Sequence, residues 1–309
     1  MAPKIKISVI QFDPKPLEPA SNFAYAERQI RRAASSGAHL AVLPEYHLTS
    51  WVPTSSSFAS CCIDSAAQYL PKYQALARDL NIHIVPGTVV VGAGKEASVD
   101  AATPPETRQL RNLAYLLAAG TGEILASYQK RNLWHPERGI ITPGLGPATE
   151  HGLDTAASPH VAFDLPIPGT QDTIRAGLLI CWDLAFPEPF RMLACEQGAE
   201  LIIIPAFWHI QRIDPAVLRI NKESEVRFLD AAVAARAYEN TCAVVLCNAL
   251  GRSQVTVPMR GSLGGGPLGV EEDNVLQAEV DFGELRFAES VYKVRSDVKG
   301  EGWYGRAKL

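Results

Sequence analysis

Apolar and polar positions along this chain follow two periods, and their alternation sets out the elements. Ile5 to Phe12 reads as a first strand. Asn22 to Ser36 carries Phe23, Ala26, Ile30 and Ala33 on one face of a helix stopped by Gly37, and Leu40 to Leu43 is a short buried strand. The opening is therefore strand, helix, strand. Gln68 to Leu80 reads as a second helix and His83 to Val91 as a strand, followed by a loop rich in Gly, Ala and Pro from Gly92 to Glu106. Leu110 to Leu117 and Ile124 to Tyr128 flank Ala119-Gly120-Thr121-Gly122, a hairpin signal. Lys130 to Pro159 has little periodicity and many Gly and Pro residues, as a surface or active-site loop has.

In the second half, the apolar run Ile174 to Ile180 leads straight into Cys181. Pro187-Glu188 then opens an amphipathic segment with Phe190 and Met192 to Cys195, closed by Gly198. This predicts a buried strand, a sharp turn and a helix, with the thiol at the turn. Leu201 to Ile204 reads as a strand, Glu225 to Glu239 as a helix, Thr241 to Cys247 and Val275 to Asp281 as further strands, and Phe282 to Leu309 as a polar tail with Tyr292, Trp303 and Tyr304. No internal repeat aligns and no linker separates two cores. One α/β domain over 1–281, with a carboxy-terminal tail over 282–309, is the expectation.

Composition narrows the class. The chain has 309 residues, 47% hydrophobic and 20% charged, with a formal charge of -4, which suits a soluble protein with a large core and argues against nucleic acid or anionic membrane as a partner. Met1-Ala2-Pro3-Lys4 enters a strand pattern without a signal-peptide stretch, and no apolar run reaches membrane-spanning length, so a cytoplasmic protein is expected. The cysteines at 61, 62, 181, 195, 242 and 247 form neither an even framework nor a C-x-x-C pair, and read as free thiols.

Several familiar chemistries are excluded: there is no G-x-S-x-G elbow, no G-x-x-x-x-G-K-[ST] loop and no H-E-x-x-H helix. Gly264-Gly265-Gly266 reads as a plain loop. His135 and His209 are candidates for a Cys-His pair, but neither has a cysteine-protease setting. What recurs is a reactive residue just beyond a strand: Glu45 after Leu40 to Leu43, Lys130 after Ile124 to Tyr128, Cys181 after Ile174 to Ile180. If these strands share a sheet and run the same way, the three groups meet at its carboxyl edge. A thiol of ordinary pKa is only a few per cent thiolate at neutral pH, so a nucleophilic cysteine needs a base or a cation nearby. Glu45 can supply the first and Lys130 the second, and together they make a covalent acyl-transfer site.

Those residues resemble the nitrilase superfamily of carbon-nitrogen hydrolases, amidase-like branch. The likeness is carried by Leu43-Pro44-Glu45, by Tyr128-Gln129-Lys130 with Leu133 and Pro143-Gly144, and by Cys181-Trp182-Asp183 with Phe186-Pro187-Glu188. Gly198-Ala199 before Leu201 to Pro205, Ala235-Arg236-Ala237 with Glu239-Asn240, Asn248, and Gly261-Ser262 with Pro267 extend it along nearly the whole chain. The resemblance implies a four-layer αββα sandwich of two mixed sheets covered by helices, a homodimer or higher homo-oligomer, and no metal or organic cofactor. It implies Glu45, Lys130 and Cys181 as catalytic triad, with Glu137 as a second glutamate and Glu150 as the fallback. It also implies the course of reaction: Glu45 deprotonates Cys181, and Lys130 and the Trp182 N–H hold the oxyanion, so that Lys130→Ala nearly abolishes turnover while sparing the fold.

Substrate class rests on fewer residues. Nitrile hydrolysers of this family usually carry Cys-Trp-Glu-Asn and amidases Asp two residues after the Cys; Cys181-Trp182-Asp183-Leu184 combines the two, and amide hydrolysis leads on Asp183. Leu184 and Ala185 stand where amidases for carboxylate-bearing substrates often place Arg, which favours a neutral, fairly apolar acyl group. Trp182, Phe186, Phe207, Trp208 and Trp134 are candidates for its pocket wall, and Trp51 to Cys62 and Gln211 to Ser224 for the entrance. Arg212, Arg219 and Lys222 keep an acidic substrate open. The alternatives are a nitrilase, an N-carbamoyl or ω-amide hydrolase, and a non-catalytic binding protein retaining the fold.

Overall fold

The first apolar run forms β1 (Lys4–Ile10), paired in parallel with β2 (Leu40–Val42) and antiparallel with β15 (Val275–Asp281). In this computed structural model, residues 2–92, 110–144, 148–149, 152–153, 160–210, 213–269 and 274–300 are described, 148–149 and 152–153 by backbone alone. β3 (His83–Val85), β4 (Thr88–Gly92), β5 (Leu110–Leu117) and β6 (Ile124–Gln129) complete a seven-stranded mixed sheet in the order β15-β1-β2-β3-β5-β4, with β6 also on β5. β7 (Ala148–Thr149) and β8 (Gly152–Leu153) form a small ribbon. The second sheet has six strands in the order β14-β13-β12-β11-β10-β9: β9 (Phe163–Pro166), β10 (Thr173–Leu178), β11 (Leu201–Ala206), β12 (Ala243–Asn248), β13 (Gln254–Val257) and β14 (Gly261–Ser262). Its centre, β10-β11-β12, is parallel.

Strands buried on both faces read as continuous apolar runs, and the two faces separate in the structure. Leu40 and Val42 of β2 join Ile5, Ile7 and Val9 against Leu178, Ile203 and Val245 of the other sheet, whereas Ala41 and Leu43 face the helices. Cys247 of β12 crosses the sandwich, its thiol donating to the carbonyls of Ile10 (3.4 Å) and Val42 (3.2 Å). Helices α1 (Pro19–Ser35) and α2 (Phe58–Leu80) cover the first sheet; α3 (Glu188–Arg191), prolonged by a π turn over Met192–Glu196, and α5 (Ser224–Asn240) cover the second. Pro19 suits the first turn of α1, where its missing N–H removes no bond. The fold is the four-layer αββα sandwich.

Three segments differ from the sequence reading. α2 starts ten residues before Gln68, because its buried stripe runs through Phe58, Cys62, Ser65 and Ala66, where Cys and Ser disguise the apolar period. The entrance segment Trp51 to Cys62 is therefore partly helical. The strand read over His83 to Val91 is split at Pro86-Gly87. Gly87 has φ 56, and a Cβ there would lie 1.8 Å from the Pro44 carbonyl oxygen. The segment read as a polar tail opens with α6 (Phe282–Tyr292), capped by Asp281, and α7 (Val294–Lys299). Phe282, Leu285 and Ala288 are buried in the core, an apolar stripe that interleaved charges conceal. β9, β13, β14 and α4 (Pro215–Ile220) went unread. The loop residues 93–106, Glu150, Gln211, Arg212, Trp303 and Tyr304 lie outside the described residues.

Candidate active site

Glu45, Lys130 and Cys181 do not share a sheet. β2 and β6 run the same way in the first sheet and deliver Glu45 and Lys130 just past their ends, while Cys181 follows β10 of the second. They meet because the two sheets face each other. The end of β11 brackets Glu45 across this interface: the Glu45 N–H donates to Ala206 O (3.3 Å), and the Phe207 N–H donates to Glu45 Oε2 (3.0 Å).

Lys130 is 1% exposed and gives its ammonium to Glu45 Oε1 (2.9 Å) and to Glu137 Oε1 (2.7 Å). Glu137 arrives on a 3₁₀ turn, His135–Glu137, and is fixed by donors on both oxygens: the Tyr46 hydroxyl on Oε1 (2.6 Å) and the Trp134 N–H on Oε2 (2.8 Å). Asn112 of β5 adds a second donor to Glu45 Oε1 (2.8 Å). Both acceptor positions of that oxygen are then occupied, and Oε2, with one backbone donor, is the oxygen left to exchange a proton.

Cys181 opens a 3₁₀ turn, Cys181–Ala185, with φ 44, a left-handed backbone that costs a non-glycine residue about 1–2 kcal/mol. Its thiol lies close enough to Glu45 and Lys130 for their charges to act on it. Burial pushes the thiol well above its usual pKa, and Glu45 adds to this against the pull of Lys130. Burial also raises Glu45, with Lys130 opposing. For Lys130, burial works to lower the pKa, but Glu45, Cys181 and Glu137 together outweigh it and hold the ammonium protonated. The resting sulfur is therefore a thiol and Lys130 an ammonium. The enclosed, elevated carboxylate is suited to taking up the thiol proton and giving it back.

The aromatic candidates separate. Trp182 packs on Trp208 (ring centroids 5.0 Å), which stacks on Phe228 (5.3 Å) and donates its indole N–H to Glu225 (2.6 Å). Phe207 packs on Tyr46 (5.9 Å), next to Trp51 and Phe58. Trp134 is 40% exposed beside His135, and touches the site through its backbone. Phe186 lines a cavity of about 200 Å³ with Arg131, His160 and Met192, whose lining includes none of Glu45, Lys130, Glu137 or Cys181. His209 packs on Phe207.

Sequence reasoning passed over Tyr46 and Asn112, and named Trp51 only as the start of the entrance segment. Asn112 carried a signal: it is the one polar residue among Leu110, Asn112, Ala114 and Leu116, the buried positions of a strand that alternates. Asp183, used as a guide to substrate class, is fully buried and accepts from Tyr128, Asn132 and Ile180. All six cysteines are free. Among the described residues no cluster of His, Cys, Asp and Glu is placed to hold a metal, and no helix is long and apolar enough to cross a membrane.

Comparison with known proteins adds a lineage to this geometry. The profile of the carbon-nitrogen hydrolases matches residues 6–289. The chain is 27% identical over 303 residues to a 2-oxoglutaramate amidase of Bacillus subtilis, covering 96% of this chain and 98% of that one. It is 30% identical over 209 residues to a nitrilase of Pyrococcus abyssi, covering 65% of this chain and 64% of that one. The crystal structure of an amidase from a Nesterenkonia species superposes with a TM-score of 0.67 at 25% identity, over 94% of this chain and 95% of that one.

Proposed function

This chain belongs to the carbon-nitrogen hydrolase family, and we propose that it hydrolyses a small neutral amide to the acid and ammonia or amine through a thioester on Cys181. The observation that supports this reading is the enclosed Glu45-Lys130-Glu137 array against the Cys181 thiol. In this scheme the thiol proton passes to Glu45 Oε2 as sulfur bonds to the amide carbon. The oxyanion is held by Lys130 and by the Trp182 N–H, which belongs to the first turn after the strand, where N–H groups lack helical partners. The carbon-nitrogen bond breaks, nitrogen leaves with the proton from Glu45, and the acyl group stays on sulfur. Glu45 then takes a proton from water, hydroxide attacks the thioester, and the sulfur departs and is reprotonated. Glu137, held by Tyr46 and Trp134, keeps Lys130 aimed.

The neutral acyl group is supported by the residues just past the nucleophile. Leu184 is buried in the core, and the Ala185 carbonyl is occupied by Arg236, which also pairs with Glu239. The likeness to a 2-oxoglutaramate amidase along 96% of the chain favours a second reading, a carboxylate-bearing amide. Trp182, Trp208 and Phe207 are proposed to wall the pocket, with Trp134 at its mouth, and Phe186 is proposed to act from its margin. The protein is further proposed to work in the cytoplasm as a homodimer or higher homo-oligomer, with 1–281 as hydrolase domain and 282–309 appended.

The deciding experiment measures ammonia release from neutral amides, carboxylate-bearing or carbamoyl compounds, and nitriles, by wild type and Cys181→Ala, with the acyl-enzyme trapped by acid quench and weighed by mass spectrometry. Neutral amides consumed only by the wild type, with the acyl mass on Cys181, are expected. Turnover confined to either other group overturns the neutral-amide reading, and turnover by Cys181→Ala overturns the site.

A further inference from the structure

Two residues past the nucleophile, Asp183 is 0% exposed, yet both its oxygens are fully used. Oδ1 accepts from the backbone N–H of Asn132 (3.0 Å) and from its side-chain Nδ2 (2.9 Å). Oδ2 accepts from the Tyr128 hydroxyl (2.9 Å) and the Ile180 N–H (2.9 Å). The origin of these donors is what matters. Tyr128, on β6 of the first sheet, and Asn132, in the loop just past it, flank Lys130, and Ile180 immediately precedes Cys181 past the end of β10 of the second. One carboxylate thus ties the lysine-bearing strand end to the backbone of the nucleophile turn.

Apolar packing between the sheets is non-directional and does not by itself fix how far one strand end stands from another. Four hydrogen bonds to a charged acceptor do, because each has a preferred length and direction. We propose that Asp183 is a positioning residue that sets the separation of the Cys181 sulfur from the Lys130 ammonium, and so governs turnover rather than substrate choice. This rests on the catalytic reading above. The arrangement calls for a carboxylate: an asparagine accepts at one atom only, and in either orientation its amide nitrogen faces backbone or side-chain donors. The Ile180 N–H or the Asn132 pair then loses its acceptor, and the turn carrying Cys181 or the loop carrying Lys130 shifts.

The test compares Asp183→Asn and Tyr128→Phe with Cys181→Ala, measuring kcat, KM and the pH dependence of Cys181 alkylation by iodoacetamide. For Asp183→Asn, kcat is expected to fall roughly a hundredfold, as for a displacement of about 1 Å at a reacting group, with KM within about threefold of wild type. The alkylation profile should move to higher pH as the ammonium withdraws from the sulfur. Tyr128→Phe, which removes one donor of four, should move both quantities the same way by less, and carries the test alone if Asp183→Asn does not fold. Wild-type kcat and an unshifted profile in a folded variant would overturn the proposal, and so would a raised KM at unchanged kcat. Loss of activity that only tracks the folded fraction, with no shift of profile, counts against it equally. Activity persisting in Cys181→Ala would instead remove the catalytic reading beneath it.

Discussion

Replacing Lys130 by methionine removes an ammonium 2.9 Å from Glu45 and 2.7 Å from Glu137, and leaves two carboxylates in a site where all three side chains are 1–2% exposed. Each contact contributes about 6 kcal/mol of attraction at an effective dielectric of about 20. Desolvation of the three groups offsets much of this, so breaking the cluster costs a net of about 3–5 kcal/mol. Read from the sequence alone, loss of this lysine spares the fold; its burial between two acids predicts otherwise. The variant limits its loss by binding a proton on Glu45, which burial already raises, and loss of the ammonium that opposes burial lifts its folded pKa further above the unfolded value of about 4.3. A group shifted in that direction contributes its stability in full below the unfolded pKa and loses it as pH rises through the folded one. The melting temperature of Lys130→Met should therefore climb as pH is lowered from about 8 to about 5. Turnover should fall at least about a hundredfold, since one oxyanion donor is worth about 3 kcal/mol. Thermal unfolding across this range, run beside ammonia release, measures both. A variant as stable as wild type at about pH 8, with a flat pH dependence, would refute the electrostatic argument. Turnover within about tenfold of wild type would refute the donor role.

The remaining predictions probe other parts of the site and the fold. Because burial raises Glu45, the acid limb of kcat/KM should lie above 4.5, and because Lys130 is raised beyond 10.5 it should cause no alkaline loss below that value; an acid limb at or under 4.5 excludes Glu45 as the base. Gly87→Ala forces a Cβ within 1.8 Å of the Pro44 carbonyl oxygen, next to Glu45, where real contacts stay above 3.0 Å. A retreat of about 1 Å should cut kcat about a hundredfold, with a stability loss of about 1–3 kcal/mol in denaturant melts; an unaltered kcat disproves the coupling. His47, buried against Tyr73, is lowered by burial from 6.5 to about 3, so the stability tied to its neutral form is present above 6.5 and lost as pH falls toward about 3. His47→Gln should move the acid-unfolding midpoint to lower pH, and an unmoved midpoint counts against it.

What the sequence revealed depended on whether a residue's role was local. Glu45, Lys130 and Cys181 each sit just past an apolar run, and that position can be read without knowing the partners. The premise that their strands share a sheet could not be checked the same way, because a strand buried on both faces has the same pattern in either layer. Asp183 shows the same limit. Its spacing from Cys181 was visible, but its role is set by Tyr128 and Asn132, some fifty residues earlier, and by no periodic signal. α6 was missed for a different reason: with only Phe282, Leu285 and Ala288 buried on one face, its composition resembles solvated chain.

The placement of the site between two sheets has a consequence for how such a protein can be monitored and inactivated. Glu45 and Cys181 face each other only when β2 and β11 lie close enough for the Glu45 N–H to reach Ala206. A reagent that titrates the competent thiol therefore counts docked sandwiches, not merely formed sheets. Loss of titre on heating becomes a gauge of inter-layer separation, read independently of strand signal. Two fragments divided between β6 and β10 would each be silent, and would regain signal only on complementation, so the chemistry itself serves as a reporter of assembly.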